Sequence, residues 1–305
     1  MHSTPGGTAS EVASRWQRGR TLLPREPILL LLPVGFLLLP FFAFPLAILL
    51  RNSFFRDVDA GLMAPDFQIG NYAKVLSDPF YLTCYLNTFG MAVAVAALTL
   101  ILGYPFAYYL VRFAKSSRIF LIWLIFTPLT VSIIARTFGW IVITGDAGLL
   151  NSVLIALGAT DQPLRILFEV QGMTIGMLHR YLPLMVLPIV SSLMKIDGNL
   201  YRAGRALGAS GPHVFWTVTV PLSLPGIIAG TQLVLAAVLS DFVLPTLLGT
   251  TKFRMLAPTI YEEAVGRFTW ANASAMTMIM VILMFVILLA VTLCLRRYAP
   301  WSRAL

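Results

Sequence analysis

Six stretches of about twenty mainly apolar residues restrict this chain to one kind of solvent. They run approximately over Ile28–Leu50, Asn87–Val111, Ile119–Ile143, Gly172–Leu193, Leu222–Leu248 and Ala273–Leu295. A helix needs about 20 such residues to cross the hydrocarbon core of a bilayer. Lipid offers the backbone no hydrogen-bond partner, so each crossing must be helical. Composition points the same way: 11% of the residues are charged, against roughly 25% in soluble proteins. The expected fold class is an all-α polytopic membrane protein with six transmembrane helices.

This divides the chain into an N-terminal tail (1–27), a six-span domain (28–295) and a C-terminal tail (296–305). The first stretch is too long for the 7–15-residue apolar region of a secretory signal, and no clear small-residue cleavage site comes after it. It reads as a retained span. Of the 22 Lys and Arg, thirteen fall in the tails and loops on the N-terminal side of the membrane and seven in the opposite loops. Arg136 and Arg180 lie within spans. The side richer in Lys and Arg is the cytoplasmic one, so both tails are expected inside. The net charge of +9 does not signal nucleic acid, because the basic residues are not clustered with interleaved aromatics. Cys84 and Cys294 are expected near opposite faces and unbridged. No closely spaced Cys/His set suggests a metal, and no cofactor is expected.

The loop between spans four and five, about 195–220, stands apart. Its sequence KIDGNLYRAGRALGASGPHVFWTVTVPLSLPGI runs from Lys195 to Ile227. Tyr201–Ala209 suits a short surface helix, and Gly208 and Gly211 are able to supply the positive φ that ends one. Phe215 and Trp216 re-enter the membrane interface, and Pro221 and Pro225 frame the next span.

These residues resemble the EAA loop of binding-protein-dependent ABC importer permeases. Arg202–Ala203–Gly204 occupies the EAA positions, and Leu207–Gly208–Ala209 matches the LGA element. Phe215, Val218, Pro221, Leu222, Pro225 and Gly226 match the aromatic and Pro-rich entry into the next span. Two positions depart: the family's Glu is Arg202 and its second Ala is Gly204. A docking contact that relies on the acid is therefore not carried over. Asn71–Tyr72, Tyr85–Thr88, Gly103–Tyr108, Gly148–Asn151, Tyr181–Pro183, Leu187–Pro188, Lys195–Asp197, Gly226 with Gly230, Asp241–Val243 with Pro245, and Leu248–Gly249 look like the spermidine/putrescine branch. The resemblance implies a type I ABC importer permease fold in a bacterial inner membrane. It also implies a second, similar permease, two cytoplasmic ATPase subunits and an outer solute-binding protein. It makes Tyr201, Arg202, Ala203, Gly204, Leu207, Gly208 and Ala209 the segment that couples to the ATPase. The chain has no GxxxxGK[ST] phosphate loop, so it is not expected to be an enzyme, and hydrolysis falls to a partner. Polyamine is the expected solute type; an opine, amino acid or related organic ion is the alternative.

Charges within spans are costly and by default functional. Arg136, Arg180 and Asp241 each lie seven or eight residues from the outer end of their span, roughly 10–12 Å deep at 1.5 Å per residue. Asp241 is expected to pair with Arg136 or Arg180 in an outer gate or pathway wall, or in a lock that only holds helices together. Tyr104, Tyr108, Tyr109 and Trp140 are candidate cavity aromatics, with an interfacial belt the commoner role. The outer-loop acids Asp57, Asp59, Asp66, Asp78, Asp161, Glu169, Glu262 and Glu263 either meet the binding protein or are simply solvated, the second being preferred for any one of them. A secondary transporter is the rival class, but the chain lacks a convincing internal repeat.

Overall fold

The computed structural model describes residues 26–58, 61–114 and 116–297. Most of the N-terminal tail and the C-terminal tail beyond Arg297 lie outside them. Two compact units divide the chain after Arg51. The described part of the first is α1 (Glu26–Asn52), a 27-residue helix that contains Pro33, Pro40 and Pro45. At 1.5 Å per residue it spans about 40 Å, ample for a bilayer.

The second unit opens with a small hairpin, β1 (Arg56–Val58) antiparallel to β2 (Leu62–Ala64) with Asp57 opposite Met63. α2 (Gly70–Ser77) and α3 (Pro79–Arg112) come next. α3 starts where it does because the Asp78 carboxylate accepts the Phe80 N–H at 2.8 Å and Pro79 needs no donor partner in the first turn. Then come α4 (Arg118–Thr130), α5 (Ile133–Thr144), α6 (Leu149–Ala156) and α7 (Val170–Met194). The remainder is α8 (Gly198–Ala206), α9 (Gly211–Leu239), α10 (Val243–Leu248), α11 (Leu256–Tyr261) and α12 (Trp270–Arg297). Five stretches among the described residues are long and apolar enough to cross a membrane: Pro79–Arg112, Ile133–Ala156, Val170–Met194, Gly211–Leu239 and Trp270–Cys294.

α7 is the centre of the bundle and packs along both α3 and α9. Its Met173, Met177, Met185 and Ile189 are wholly buried; unbranched thioethers fill irregular gaps between helices. α9 meets α7 through Gly226 and Gly230, four residues apart on one face. A Cβ at Gly226 would lie 2.5 Å from the Pro188 carbonyl oxygen, and one at Gly230 2.9 Å from that of Met185. Only glycine permits this approach. Inside a membrane such close packing is a principal source of helix association.

Two predicted spans are interrupted. The third breaks at Val131 and Ser132, which are extended; Pro128, just upstream, removes one of the hydrogen bonds that would hold the last turn of α4. After α5 the chain turns at Gly145–Gly148, and Asn151, fully buried, closes that turn through bonds to the Gly145 and Leu164 carbonyls and from the Leu164 N–H. The fifth span starts eleven residues earlier than predicted, at Gly211, and ends at Leu239 rather than Leu248. Within it Phe215–Thr219 forms a π turn, in which the Val220 N–H reaches back to the Phe215 carbonyl. Irregular backbone at membrane depth is tolerated where protein or a cavity covers it. Cys84 is buried and Cys294 exposed, and neither is bridged.

Candidate functional site

Two separate places carry the residues singled out from sequence. The first is α8 and its flanks. Asp197 begins the helix by accepting the Asn199 N–H at 2.9 Å, and this bond, with help from the Asn199 side chain, holds the Asp197 carboxyl below the usual carboxylate range. The helix begins at Gly198 and ends at Ala206, so Leu207, Gly208 and Ala209 form its exit rather than its last turn. The Gly208 N–H bonds the Arg205 carbonyl and the Ala209 N–H the Gly204 carbonyl. This is the paired closure of a left-handed C-terminus, and Gly208 supplies it with φ +81°. Gly211, the other candidate, does not have positive φ. A Cβ at Gly208 would meet nothing within 4 Å, so backbone conformation, not crowding within this chain, requires glycine there.

Arg202 and Ala203 are exposed, and Leu207 is 88% exposed. The Arg202 guanidinium bonds Asn199 Oδ1 at 2.6 Å, within its own helix. Gly204 faces inward, where its Cβ would sit 3.0 Å from Val214. Tyr201 anchors the segment: the Arg112 guanidinium lies 3.0 Å over its ring, and Thr219 donates to its hydroxyl at 3.3 Å. The segment is thus a short helix held from behind with its polar face open.

The second place lies where α5, α7 and α10 pack together. Asp241 sits in the break after α9, with its side chain buried. Its Oδ1 accepts from the N–H groups of Val243 and Leu244 at 3.1 and 3.3 Å, starting α10. Its Oδ2 accepts the Tyr181 hydroxyl at 2.7 Å, and Arg180 Nη1 stands 3.8 Å from Oδ1. Asp241 therefore pairs with Arg180 and not with Arg136. Arg136 donates instead to the Val131 carbonyl at the break before α5, at 2.7 Å. Its Nε and Nη1 are buried without a hydrogen-bond partner, as is Arg180 Nη1. Trp140, on the same helix as Arg136, meets the His179 ring edge-on at 5.8 Å. Both broken spans thus break beside the layer that holds these charges.

Tyr181 was not among the pathway residues read from sequence. Its signals were adjacency to Arg180 and its place in the Tyr181–Pro183 segment of the branch resemblance, neither of which assigned it a partner. The break was not expected from sequence, which ran the span unbroken to Leu248; Asp241, a capping residue type ahead of Pro245, is the one local signal for it. The candidate aromatics do not form a cage. Tyr104 and Tyr108 lie edge-on to Phe215 at 5.9 and 5.1 Å, and Tyr109 stacks on Phe113. Glu263 departs from the solvated reading: it is buried, accepts from Tyr81, Thr269 and Asn272, and pairs with Arg267 at 2.9 Å. Asp57 likewise caps α12 through the Ala271 and Asn272 N–H groups.

Residues 81–301 match the family described as binding-protein-dependent transport system inner membrane component. The spermidine/putrescine transport system permease protein PotB of Escherichia coli K12 is 33% identical over 256 residues, covering 84% of this chain and 92% of that one. PotB of Haemophilus influenzae is 33% identical over 250 residues, with 81% and 87% covered. Among solved structures, a chain of a bacterial ABC transporter involved in import of the acidic polysaccharide alginate superposes with a TM-score of 0.71. It shares 17% identity, with 94% of this chain and 98% of that one covered, a likeness of fold alone.

Proposed function

Because this chain belongs to the family of binding-protein-dependent transport system inner membrane components, we propose that it forms one half of the pathway of an ATP-driven importer for polyamine-type solutes. The relatives that carry the polyamine reading extend over 84% of the chain at 33% identity. In this reading both termini are cytoplasmic, a second permease completes the pathway, and a solute-binding protein delivers from outside. ATP is hydrolysed on separate cytoplasmic subunits. α8 and its exit, Tyr201–Ala209, dock into the ATPase, and Arg202 presents a cation where the family pattern has an acid. The Arg112–Tyr201 stack and the Gly204–Val214 contact make α8 move with the bundle rather than apart from it.

Arg136, Arg180 and Asp241 form a gate or wall in the pathway. This layer favours a second reading of the solute. Two arginines share this layer with one carboxylate, an excess of positive charge that suits a small organic ion with an acidic group better than a dication. Calorimetric titration of the cognate solute-binding protein with spermidine, putrescine and a set of amino acids decides between the two.

Co-purification from native membranes in mild detergent tests the assembly. An ATPase and a second permease in the eluate are expected; a lone chain or homo-oligomer overturns the reading. Gly208→Trp separates docking from folding. It should abolish solute-stimulated ATP hydrolysis in a complex that still assembles, whereas Gly208→Ala carries the same backbone strain without the bulk and should retain most of it. Equal losses would assign the effect to the loop backbone and not to docking.

A further inference from the structure

A cavity of about 330 Å³ opens between the last turns of α3 and the α8 segment, lined among others by Tyr108, Arg112, Phe113, Tyr201, Arg205 and Phe215. Its charge has one sign. Arg112 and Arg205 are the ionised side chains on its wall, and no carboxylate lines it. Neither arginine is among the ion pairs of the described residues. Arg112 is stacked face-on against Tyr201, which uses the plane of the guanidinium and leaves its in-plane donors available. α9 begins at Gly211, also on the wall, and adds the positive end of a helix dipole.

Aromatic rings adjoin the wall. Phe113, which lines it, is 66% exposed, Tyr109 stacked on Phe113 is 51% exposed, and Trp216 against the wall residue Phe215 is 68% exposed. In a chain that spans a membrane, exposed aromatics of this kind at helix ends sit at the lipid interface. We propose that the cavity binds the headgroup of an anionic phospholipid, with the phosphate between Arg112 and Arg205 and the acyl chains along Phe113 and Trp216. Basic pockets between spans are suited to such headgroups. A soluble acidic partner meets the charge requirement but would have to cover the exposed aromatic rings with a water-adapted surface. The bound lipid joins α3 to α8, so leaflet composition sets how firmly the α8 segment is held. This does not depend on which solute is carried.

The test is native mass spectrometry of the whole transport complex, taken from nanodiscs of phosphatidylcholine with or without phosphatidylglycerol. The wild-type complex should retain phosphatidylglycerol. Arg112→Gln, at the other cation of the wall and outside the docking segment Tyr201–Ala209, should reduce that retention about fivefold, and Arg112→Lys should restore it. Added inorganic phosphate should not displace the lipid. Equal retention in wild type and Arg112→Gln overturns the proposal. Loss of the ATPase subunits from the Gln variant with phosphatidylglycerol still retained overturns it in favour of a protein partner, and displacement by phosphate overturns it in favour of a free anion.

Discussion

Two polar clusters are buried in the same helical unit, and they differ in how completely their charged groups are paired. Around Glu263, both carboxylate oxygens have donors: Tyr81 and Arg267 on one, Thr269 and Asn272 on the other. Asn272 also bonds the Tyr81 hydroxyl at 3.2 Å, although its Oδ1 is buried without a partner, and Asp57 caps the helix that carries it. Around Asp241, the carboxylate is as well supplied, but the cations are not. Arg180 reaches it at 3.8 Å, beyond hydrogen-bond range, and Arg136 keeps two buried nitrogens unpaired. A network whose ions are closely paired fixes one arrangement of its helices, whereas one with unpaired ions leaves other arrangements of similar energy within reach. The first is built as a lock; the second has the character of a part that moves.

The largest expected effect breaks the lock. Glu263→Ala leaves Arg267 without its buried partner and strands Asn272, which should cost about 3 kcal/mol, less where water screens the half-exposed Arg267. Thermal melting in detergent measures it; a melting temperature within error of wild type would remove the contrast between the clusters. Next, Asp241→Asn keeps an oxygen to start α10 but cancels the charge opposite Arg180. It should leave melting within about 1 kcal/mol of wild type while reducing transport in proteoliposomes at least tenfold. If melting falls as far as for Glu263→Ala, the Asp241 cluster is also a lock.

A matched pair sharpens the comparison further. Tyr81→Phe and Tyr181→Phe each delete one hydroxyl that donates to a buried carboxylate, at 3.0 and 2.7 Å respectively. Both should lose about 1–2 kcal/mol of stability, but only Tyr181→Phe should alter the transport rate. Equal transport in the two variants would count against a moving part at Asp241. The smallest effect is expected at a third carboxylate, outside both clusters. Asp197 is fully exposed and its pKa is lowered in the fold by the Asn199 N–H, so its capping contribution is complete above the unfolded carboxylate pKa near 3.9. It is lost as pH falls through the lower folded value. Carboxyl-carbon NMR of the labelled protein should show Asp197 titrating below model aspartate; a normal midpoint would remove this part of the α8 start.

Much of the fold was legible because lipid imposes it. Spans of about twenty apolar residues need no knowledge of their neighbours to be recognised, and the α7 span was placed within two residues at its start and one at its end. The α8 helix was legible from composition and from the glycine that closes it, although its start was set by Asp197, ahead of the expected Tyr201. Arg136, Arg180 and Asp241 were legible as residues because charge within an apolar run is conspicuous. Their partners were not. Sequence left Asp241 a choice of two arginines, and Glu263 looked like any other loop acid.

By itself the sequence determined the solvent, the helical class, the six apolar segments and the short α8 helix, since each comes from local composition or from a short contiguous pattern. Tertiary structure decided where spans three and five break, which arginine faces Asp241, and that Glu263 is buried. Those outcomes depend on contacts across long separations, such as Tyr81 with Glu263 and Tyr181 with Asp241. A polar atom becomes satisfied or stranded only when helices distant in the chain are brought together around it.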